Sequence, residues 1–443
     1  MQRREFLALS ASTVAGAMMP LRAFSADAGL SGYKCLVNIF LLGGNDAFNL
    51  IVPSSNAEYN IYATSRQNLA VPQADLLAIN PNHPDGASYG FHPAATALQN
   101  LFEAGDLAVM ANVGPLIEPT TKDAYLSQSV ALPPQLFSHN DQQDQWYTLK
   151  GKSPLSTGWA GRIADLLQDS TQAQQLALNT SLFGTTLFQA GDTSVPYTVG
   201  VGGANTYGAL DAGAILGASR RAAFEAYLDR GFTNLHARAL TEVHQRSLGT
   251  ADKVNAALAL VPQLTTPFPD SNLGRQLNTI ARLIAVKDEF AMSRQIFFAA
   301  AGGFDTHDDQ NQVQPNLIQD LSDSLGAFNA ALVEISQSDS VVTFTQSDFG
   351  RTLTSNGDGT DHGWGSHQIV TGSAVLGRNI YGTMPTLEIG GADDATGGRI
   401  IPTTSVDQYA ATLARWFGVA ESDLAQVAPN LGNFAGQNLG FLG

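Results

Sequence analysis

The 443-residue chain has little of three features that often decide what a protein does: cysteine, basic residues and long apolar runs. Its single cysteine, Cys35, excludes an intrachain disulfide and a cysteine-based zinc site. Only 23 lysines and arginines stand against 39 acids, a formal net charge of −16, so we expect no nucleic-acid partner and no binding to anionic lipid through bulk charge. After the N-terminal region no apolar run is long enough to span a bilayer, which predicts a soluble mature form without a transmembrane anchor.

The first 28 residues have the pattern of an export signal. Arg3 and Arg4 precede a mildly apolar stretch, and residues 26–28 read Ala-Asp-Ala, a small-residue cleavage pattern. Paired arginines are used by the twin-arginine translocase for chains that fold before they cross the membrane. The sequence thus predicts a twin-arginine signal over residues 1–28, a periplasmic or exported location, and a mature domain over residues 29–443. The alternative is a basic start that leads into a buried first helix.

Three apolar segments are predicted to be buried strands, and an acid follows each of them. The segments are Cys35 to Leu42, Gln295 to Ala301 and Val341 to Thr345, and the acids are Asp46, Asp305 and Asp348. Paired glycines end the first two segments, and glycine lets a backbone turn sharply or approach a ligand closely. Ligands of open α/β sheets bind outside the carboxyl ends of the strands, so the three acids could converge on one point. For Asp46 and Asp305 a turn or helix-capping role stays open.

Histidines accompany these acids. His307 follows Asp305 closely, and the Gly- and Asn-rich loop after the third strand contains Asp361, His362 and His367. Carboxylate oxygens and neutral imidazoles are the side chains that hold divalent metals. The pattern therefore favours a metal or catalytic site over a merely polar loop.

The densest polar cluster of the chain, SHNDQQDQW, runs from Ser138 to Trp146 after a Pro-Pro turn. A hydroxyl beside imidazole and carboxylates can supply a nucleophile, but adjacent residues do not face one another as a Ser–His pair must. A capping role of Ser138 and His139 for the following segment therefore stays open.

The order of the elements predicts an α/β fold. Pro315 to Ser336 has the pattern of an amphipathic helix and lies between the strands that precede Asp305 and Asp348, which is the order that a parallel crossover requires. Residues 151–217 are rich in Gly, Ser, Thr and Ala and are interpreted as an insertion or a second lobe. A chain of this length exceeds a typical single core, which predicts one large domain with insertions or two lobes that share a sheet.

Several motifs together resemble a known family. In chain order they are RREFL, LLGGNDAFN, FSHNDQQDQW, GGFDTHDDQ, SDFGRTLTSNGDGTDHGWGSH and GRNIYG. They are similar to the exported bacterial family called domain of unknown function 1501, which is grouped by resemblance with the alkaline phosphatase, sulfatase and cofactor-independent phosphoglycerate mutase superfamily. The resemblance implies a three-layer α/β/α sandwich with a mostly parallel central sheet and loop-rich insertions.

The superfamily plan also implies roles for particular residues. It uses an acid after the first strand, a hydroxyl nucleophile downstream, and later Asp and His ligands for two divalent metals. On this pattern Ser138 is the nucleophile, and Phe349 stands where a histidine is expected unless Asp361 and His362 supply the late pair. The metal ligands implied are Asp46, Asp305, His307, Asp348, Asp361, His362 and His367.

These residues lead to a predicted function, a periplasmic metal-dependent hydrolase of phosphate or sulfate esters. One or two divalent ions, zinc, calcium, magnesium or manganese, would polarise a small anionic ester and lower the pKa of Ser138 or a bound water. Arg351 or Asn45 would stabilise the charge on the oxyanion, although an ordinary surface ion pair is the alternative for Arg351. Two other classes stay open: a non-catalytic periplasmic binding or assembly protein with the same fold, and a surface interaction module.

Overall fold

The computed structural model describes residues 30–211, 213–261 and 264–443. The chain divides into residues 1–32 and a compact unit from Tyr33 to Gly443. The predicted export signal over residues 1–28 lies outside the described residues, so the signal and the periplasmic location stay predictions. Within the three described ranges, no helix is both long and apolar enough to cross a membrane.

The strands form one large sheet and two small ones. In chain order they are β1 (Lys34–Leu41), β2 (Ile51–Pro53), β3 (Leu77–Ile79), β4 (Tyr89–Phe91), β5 (Leu107–Gly114), β6 (Asn179–Ser181), β7 (Tyr197–Gly200), β8 (Gly203–Ala204), β9 (Arg294–Ala301), β10 (Val341–Ser347), β11 (Arg351–Ser355), β12 (Thr360–His362), β13 (Ser366–Thr371), β14 (Asn379–Tyr381) and β15 (Thr404–Ser405). In the described part of the chain, the large sheet has the order β14-β5-β13-β10-β1-β9-β6-β7-β8, with β15 paired to β5. Most neighbours are parallel; β13 is antiparallel to both β10 and β5.

Helices cover both faces of this sheet. They are α1 (Ala47–Leu50), α2 (Asn56–Arg66), α3 (Thr96–Ala104), α4 (Lys122–Ser127), α5 (His139–Thr148), α6 (Trp159–Leu166), α7 (Gly217–Leu228), α8 (Leu235–Leu260), α9 (Asn272–Ala285), α10 (Gln310–Glu334), α11 (Val406–Phe417) and α12 (Leu424–Val427). Side chains alternate along a strand, so Val37 of β1 joins the core shared with α3, α9 and α10, whereas Phe40 packs against Tyr147 of α5 on the other face. The predicted α/β/α sandwich with a mostly parallel sheet is confirmed.

The three strands that precede the predicted acids are neighbours in the middle of the sheet. β1 lies between β10 and β9 and runs parallel to both, with Leu41 paired to Ser347 on one side and to Ala301 on the other. The carboxyl ends of parallel strands lie at the same edge of a sheet, so the segments that follow β1, β9 and β10 all begin at that edge. The three strand ends therefore lie together, whereas the Asp46 carboxylate that follows β1 pairs with Arg66.

Two glycines make room at this edge. Gly43 and Gly44 follow β1 with φ values of 113° and 88°, a region that residues with a Cβ rarely adopt. A Cβ on Gly43 would collide with the backbone of Asp305, and one on Gly44 would collide with the ring of Phe349. The Gly-Gly pair therefore lets the segments after β9 and β10 lie against the end of β1.

Residues 151–217, interpreted as an insertion or second lobe, contribute α6, β6 and β7. β6 extends the large sheet because it pairs in parallel with β9, for example Thr180 with Phe297. This segment lies within the compact unit from Tyr33 to Gly443.

Candidate metal centre

Three side chains from separate segments meet at the carboxyl edge of the sheet. They are His139 at the start of α5, Asp305 after β9 and His362 at the end of β12, and one ligand atom of each lies within 4.8 Å of the other two. His139 Nε2 is 3.5 Å from Asp305 Oδ2, and His362 Nε2 is 3.5 Å from Asp305 Oδ1. We refer to His139, Asp305 and His362 as the central cluster.

Hydrogen bonds determine which imidazole nitrogens are free to bind a cation. His139 Nδ1 lies 2.6 Å from Asp348 Oδ2, and His362 Nδ1 lies 2.7 Å from the carbonyl oxygen of Phe137. An ionised carboxylate and a carbonyl can only accept, so Nδ1 is the nitrogen that carries the hydrogen in each ring. In a neutral ring Nε2 then has a lone pair, and both Nε2 atoms lie 3.5 Å from a carboxylate oxygen of Asp305. His362 Nε2 also lies 2.9 Å from His307 Nε2, so a cation at His362 would replace that contact.

His307 flanks the central cluster. Its Nε2 is 2.9 Å from His362 Nε2 and 3.0 Å from Asp305 Oδ1, and its Nδ1 is 3.3 Å from Asp361 Oδ1. The His307 imidazole thus has Nδ1 beside the carboxylate of Asp361 and Nε2 beside the carboxylate of Asp305. The side chain of Asp361 is 57% exposed and lies 3.3 Å from His307 Nδ1.

Asp348 lies behind His139. Its buried carboxylate accepts hydrogen bonds from the Gly43 N–H at 3.2 Å and from Gln143 Nε2 at 2.9 Å. The hydrogen bond with Asp348 raises the pKa of His139; partial burial opposes that increase, and the charges of Asp348 and Asp305 add to it. For His362 partial burial dominates and lowers the pKa, against the hydrogen bond to Phe137.

Arg351 fixes Asp305. The fully buried guanidinium donates from Nη1 to Asp305 Oδ1 at 2.6 Å and to the Gly43 carbonyl at 3.2 Å. Partial burial raises the pKa of Asp305, but the hydrogen bond and charge of Arg351, followed by the charges of His307 and His139, outweigh it and lower that pKa. Asp305 is therefore an ionised ligand candidate, and the burial of Arg351 distinguishes it from an ordinary surface ion pair.

Ser138 and Asn45 have other partners. Ser138 Oγ donates to Asp141 Oδ2 at 2.7 Å and stands immediately before α5. The Asn45 N–H donates to Ser347 Oγ at 2.8 Å, and the Asn45 side chain is buried. Within the described residues Asn45 Oδ1 has no hydrogen-bond partner.

Two of the ligands expected from the sequence lie apart from the central cluster. The buried Asp46 carboxylate pairs with Arg66 and accepts from Gln310 Nε2 at 2.5 Å, so its charge is neutralised within the core. His367 is buried on β13, where Nδ1 accepts the Asn112 N–H at 3.1 Å and burial lowers its pKa to about 3. His367 lies near the strand ends, since the preceding Ser366 pairs with Val113 of β5, but its ring packs against Phe48 and not against the central cluster.

His139 is the cluster member that was not among the predicted ligands; the sequence left a capping role open for it. A recognisable signal was its spacing from Gln143: residues four apart lie on one face of a helix, and both side chains of α5 contact Asp348. The FSHNDQQDQW segment thus supplies His139, a candidate ligand, and Gln143, which donates to the Asp348 carboxylate that orients His139.

The chemistry of the central cluster fits a divalent cation. Two imidazole nitrogens and one carboxylate oxygen match catalytic zinc sites, which use three protein ligands and leave a further position open. The side chains of Asp305 and His139 are 44% and 29% exposed, so a ligand can approach from solvent. Asp348, Phe137 and Arg351 orient the three ligands, as partners behind metal ligands commonly do.

Comparisons with known proteins give a family and a set of distant structures. Residues 33–401 match the family described as "Protein of unknown function (DUF1501)". A search of curated proteins finds no match. Similar solved structures include Ps i-CgsB in complex with k-i-k-neocarrahexaose (9% identity, TM-score 0.36, covering 89% of this chain and 74% of that one). They also include the PsFucS1 sulfatase from Pseudoalteromonas sp. (8% identity, TM-score 0.33, covering 88% and 68%).

Proposed function

Because this chain belongs to the DUF1501 family, whose function is unknown, we propose its activity from the central cluster: it binds one divalent cation and hydrolyses small phosphate or sulfate esters. The observation that supports this proposal is the convergence of two imidazole nitrogens and a carboxylate oxygen within 4.8 Å. Nitrogen ligands together with one oxygen favour zinc over calcium or magnesium, which prefer oxygen ligands.

Charge links the cation to an anionic substrate. Around the cluster the three carboxylates of Asp305, Asp348 and Asp361 stand against two guanidinium groups. These are the buried one of Arg351 and that of Arg399, which donates to the carbonyl oxygen of His362 at 3.1 Å. Without a cation this edge of the sheet would repel an anionic ester, and a divalent ion would offset the excess negative charge. When bound, such an ion supplies Lewis acidity toward an ester oxygen.

The residues of the chain would position and activate the reactants. Arg351 holds Asp305, while Asp348 and Phe137 hold the two imidazoles, so the ligand atoms keep their geometry before a substrate arrives. Asp141 accepts the Ser138 hydroxyl hydrogen at 2.7 Å, an arrangement that suits a base beside a nucleophile. In this mechanism Ser138 Oγ attacks the phosphorus or sulfur atom and its proton passes to Asp141. The ester bond to the leaving oxygen breaks, and Asp141 returns the proton to that oxygen, so that the alcohol leaves and Asp141 is again a base for the water of the second step. Water then releases phosphate or sulfate from the serine in a second step.

The first test is metal content. We expect the purified protein to contain about one zinc ion per chain, and Asp305→Asn to lose more affinity than the roughly 10- to 100-fold typical of changes behind a ligand. The matched control is Asp308→Asn, because Asp308 is an exposed acid of the same loop. Elemental analysis and competition with a chelating dye measure both variants. Full occupancy in Asp305→Asn would remove the basis of the proposal.

The second test is turnover. Ser138→Ala should abolish hydrolysis of an aryl phosphate or aryl sulfate while metal content and melting temperature stay near those of the wild type, because its hydroxyl contacts only Asp141 among the described side chains. Ser127→Ala is the control, since that hydroxyl bonds within its own helix. Activity that survives in Ser138→Ala would transfer the attack to water. A metal-loaded wild type with no activity on either substrate would instead identify a non-catalytic cation-binding protein.

A further inference from the structure

The hairpin formed by α7 and α8 lies in the part of the molecule where exposed apolar side chains are concentrated. Of the 17 large hydrophobic residues that are exposed in the described part of the chain, ten lie between residues 195 and 260. Single exposed apolar residues are ordinary, but a concentration of them marks a surface that contacts something else. This surface shares no residue with the central cluster.

One end of the hairpin projects into solvent. Gln245 Nε2 of α8 donates to Asp229 Oδ1 at 2.8 Å, so the end of α7 lies beside the first half of α8. We refer to residues 227–247, which join the two helices and begin α8, as the hairpin tip. Among its residues, all of which the structure describes, Leu228 and Thr241 alone are buried. The side chains of the hairpin tip therefore face solvent on nearly every side.

An apolar stripe runs along α8, and its first half is uncovered. Four apolar side chains lie on one face of the helix because their spacings are close to whole turns: Leu240, Val243, Val254 and Leu258. Val254 and Leu258 are buried in the main core, whereas Leu240 is 58% and Val243 is 53% exposed. The face that holds the second half of α8 to the body thus continues, exposed, along the hairpin tip.

The hairpin also differs from the rest of the chain in charge. Residues 217–260 contain six lysines and arginines against four acids, a net charge of +2, which leaves −18 for all other residues of a chain whose total is −16. Three exposed arginines belong to the hairpin tip: Arg230, Arg238 and Arg246. The ion pairs within the described hairpin involve Arg221 instead. The guanidinium groups of the tip are therefore available to an anionic partner.

We propose that the hairpin tip docks on the surface of an anionic lipid bilayer, with Leu240 and Val243 below the headgroups and the tip arginines against lipid phosphates. Helices with an apolar stripe and basic residues bind such surfaces, and the stem of an arginine can lie along apolar surface while its charged end stays at the interface. The bilayer repels the charge of −18 outside the hairpin, so the body stays in solution and the tip alone makes contact. A second copy of the chain is a poorer occupant, since docking would bring two such bodies together.

The test is co-sedimentation of the mature chain, residues 29–443, with lipid vesicles, since the predicted signal could itself bind lipid. At low salt we expect the protein to pellet with vesicles of phosphatidylglycerol and phosphatidylcholine. Binding should be much weaker at high salt or to phosphatidylcholine alone, because salt screens the charges of exposed groups. Arg246→Gln should weaken binding about 5-fold, the effect of one basic residue near an anionic membrane surface.

A matched pair of variants locates the contact. The double variant Leu240→Gln with Val243→Gln should weaken binding roughly 10-fold or more, because two apolar side chains no longer gain from leaving water. Its control is Leu126→Gln with Val333→Gln, which changes the same residue types at positions 55% and 60% exposed elsewhere on the surface. All four positions are exposed, so the melting temperatures should stay near that of the wild type.

Three results would overturn the proposal. The first is wild-type protein that stays in the supernatant with anionic vesicles. The second is a control variant that loses as much affinity as the tip variant. The third is analytical ultracentrifugation in which the lipid-free wild type is a dimer and the tip variant a monomer, because a second copy of the chain would then cover the stripe.

Discussion

At the scale of single residues, Asp348 sets the direction of the His139 ring, because its Oδ2 lies 2.6 Å from His139 Nδ1. Its carboxylate has three partners, the Gly43 N–H, the Gln143 amide and His139 Nδ1, all reached from a fully buried position. A carboxylate behind a ligand histidine fixes the ring and makes its other nitrogen a better donor to a metal. If the central cluster binds a cation as proposed, Asp348 acts on the affinity through His139.

This role predicts a measurable loss in Asp348→Asn. The amide keeps the shape but not the charge, so we expect cation affinity to fall about 10- to 100-fold. Asp361→Asn, which changes the acid beside His307, should have a smaller effect because His307 lies outside the central cluster. Competition titrations with a chelating dye compare the two variants, and equal losses would add His307 to the coordination of the cation.

The sequence indicated Asp305 and His362 correctly as neighbours, because acids after parallel strands share an edge and the loop after β10 returns to it. It could not indicate the partner of Asp46. That carboxylate also follows a strand, but the buried Arg66 neutralises it, and a contact between α2 and the end of β1 has no periodicity to reveal it. Tertiary packing, which residue spacing does not encode, determines that Asp305 joins the central cluster and that Asp46 pairs with Arg66.

At the scale of elements, a chain of hydrogen bonds joins α10 to the metal centre. Gln310 at the start of α10 donates to Asp46 and accepts from the Thr360 hydroxyl at 2.7 Å. Thr360 of β12 in turn accepts from Arg351 Nε at 3.2 Å, and Arg351 holds Asp305. Because Gln310 Nε2 donates to the Asp46 carboxylate, Gln310 Oε1 is the atom that accepts from the Thr360 hydroxyl. The Thr360 hydroxyl oxygen is then the acceptor for Arg351 Nε.

Gln310→Leu should therefore both destabilise the protein and disturb the site. We expect a decrease of about 1–3 kcal/mol in the free energy of unfolding, since buried partners lose their hydrogen bonds. Weaker cation binding should accompany it through Thr360 and Arg351. The control is Gln312→Leu, an exposed position of the same helix, with a change within about 0.5 kcal/mol. Urea unfolding and cation titration measure both, and similar values for the two variants would contradict the expected role of Gln310.

The elements themselves were largely predictable, and their ends less so. The crossover helix was expected from Pro315 to Ser336 because of its amphipathic pattern. In the structure α10 runs from Gln310 to Glu334 with Pro315 inside. The extra turn is stabilised by the buried contacts of Gln310 and Gln314 with Asp46, which local sequence preference does not contain.

At the scale of the whole molecule, two buried groups give opposite dependences of stability on pH. Burial raises the pKa of Asp407 to about 7, and hydrogen bonds from Asn430 oppose this only in part. In the unfolded chain that pKa is about 3.9, so between the two values the folded state holds an extra proton and stability falls as pH rises. His367, with a folded pKa of about 3 against about 6.5 unfolded, loses stability as pH falls through that window.

Asp407→Asn should remove the loss of stability with rising pH that Asp407 causes. The opposite pH dependence, which His367 causes, then becomes measurable. We expect its free energy of unfolding to rise more steeply with pH than that of the wild type between about pH 4 and pH 6.5. An asparagine retains an oxygen that can accept from Asn430, so the fold should persist. Urea unfolding at several pH values in this window gives the slopes. Parallel curves for variant and wild type would show that Asp407 is ionised in both states.

The placement of His139, Asp305 and His362 in distant parts of the chain determines when a cation can be selected. β1 pairs with β10, so the residues nearest the beginning of the described chain need partners that are synthesised about 300 residues later. The three ligands can meet only after His362 has been synthesised, so the cation cannot be held by all three during synthesis of the preceding part of the chain. If the predicted twin-arginine signal directs export of a folded chain, the ion is acquired in the cytoplasm, and the metal supply of that compartment decides which one the exported protein carries.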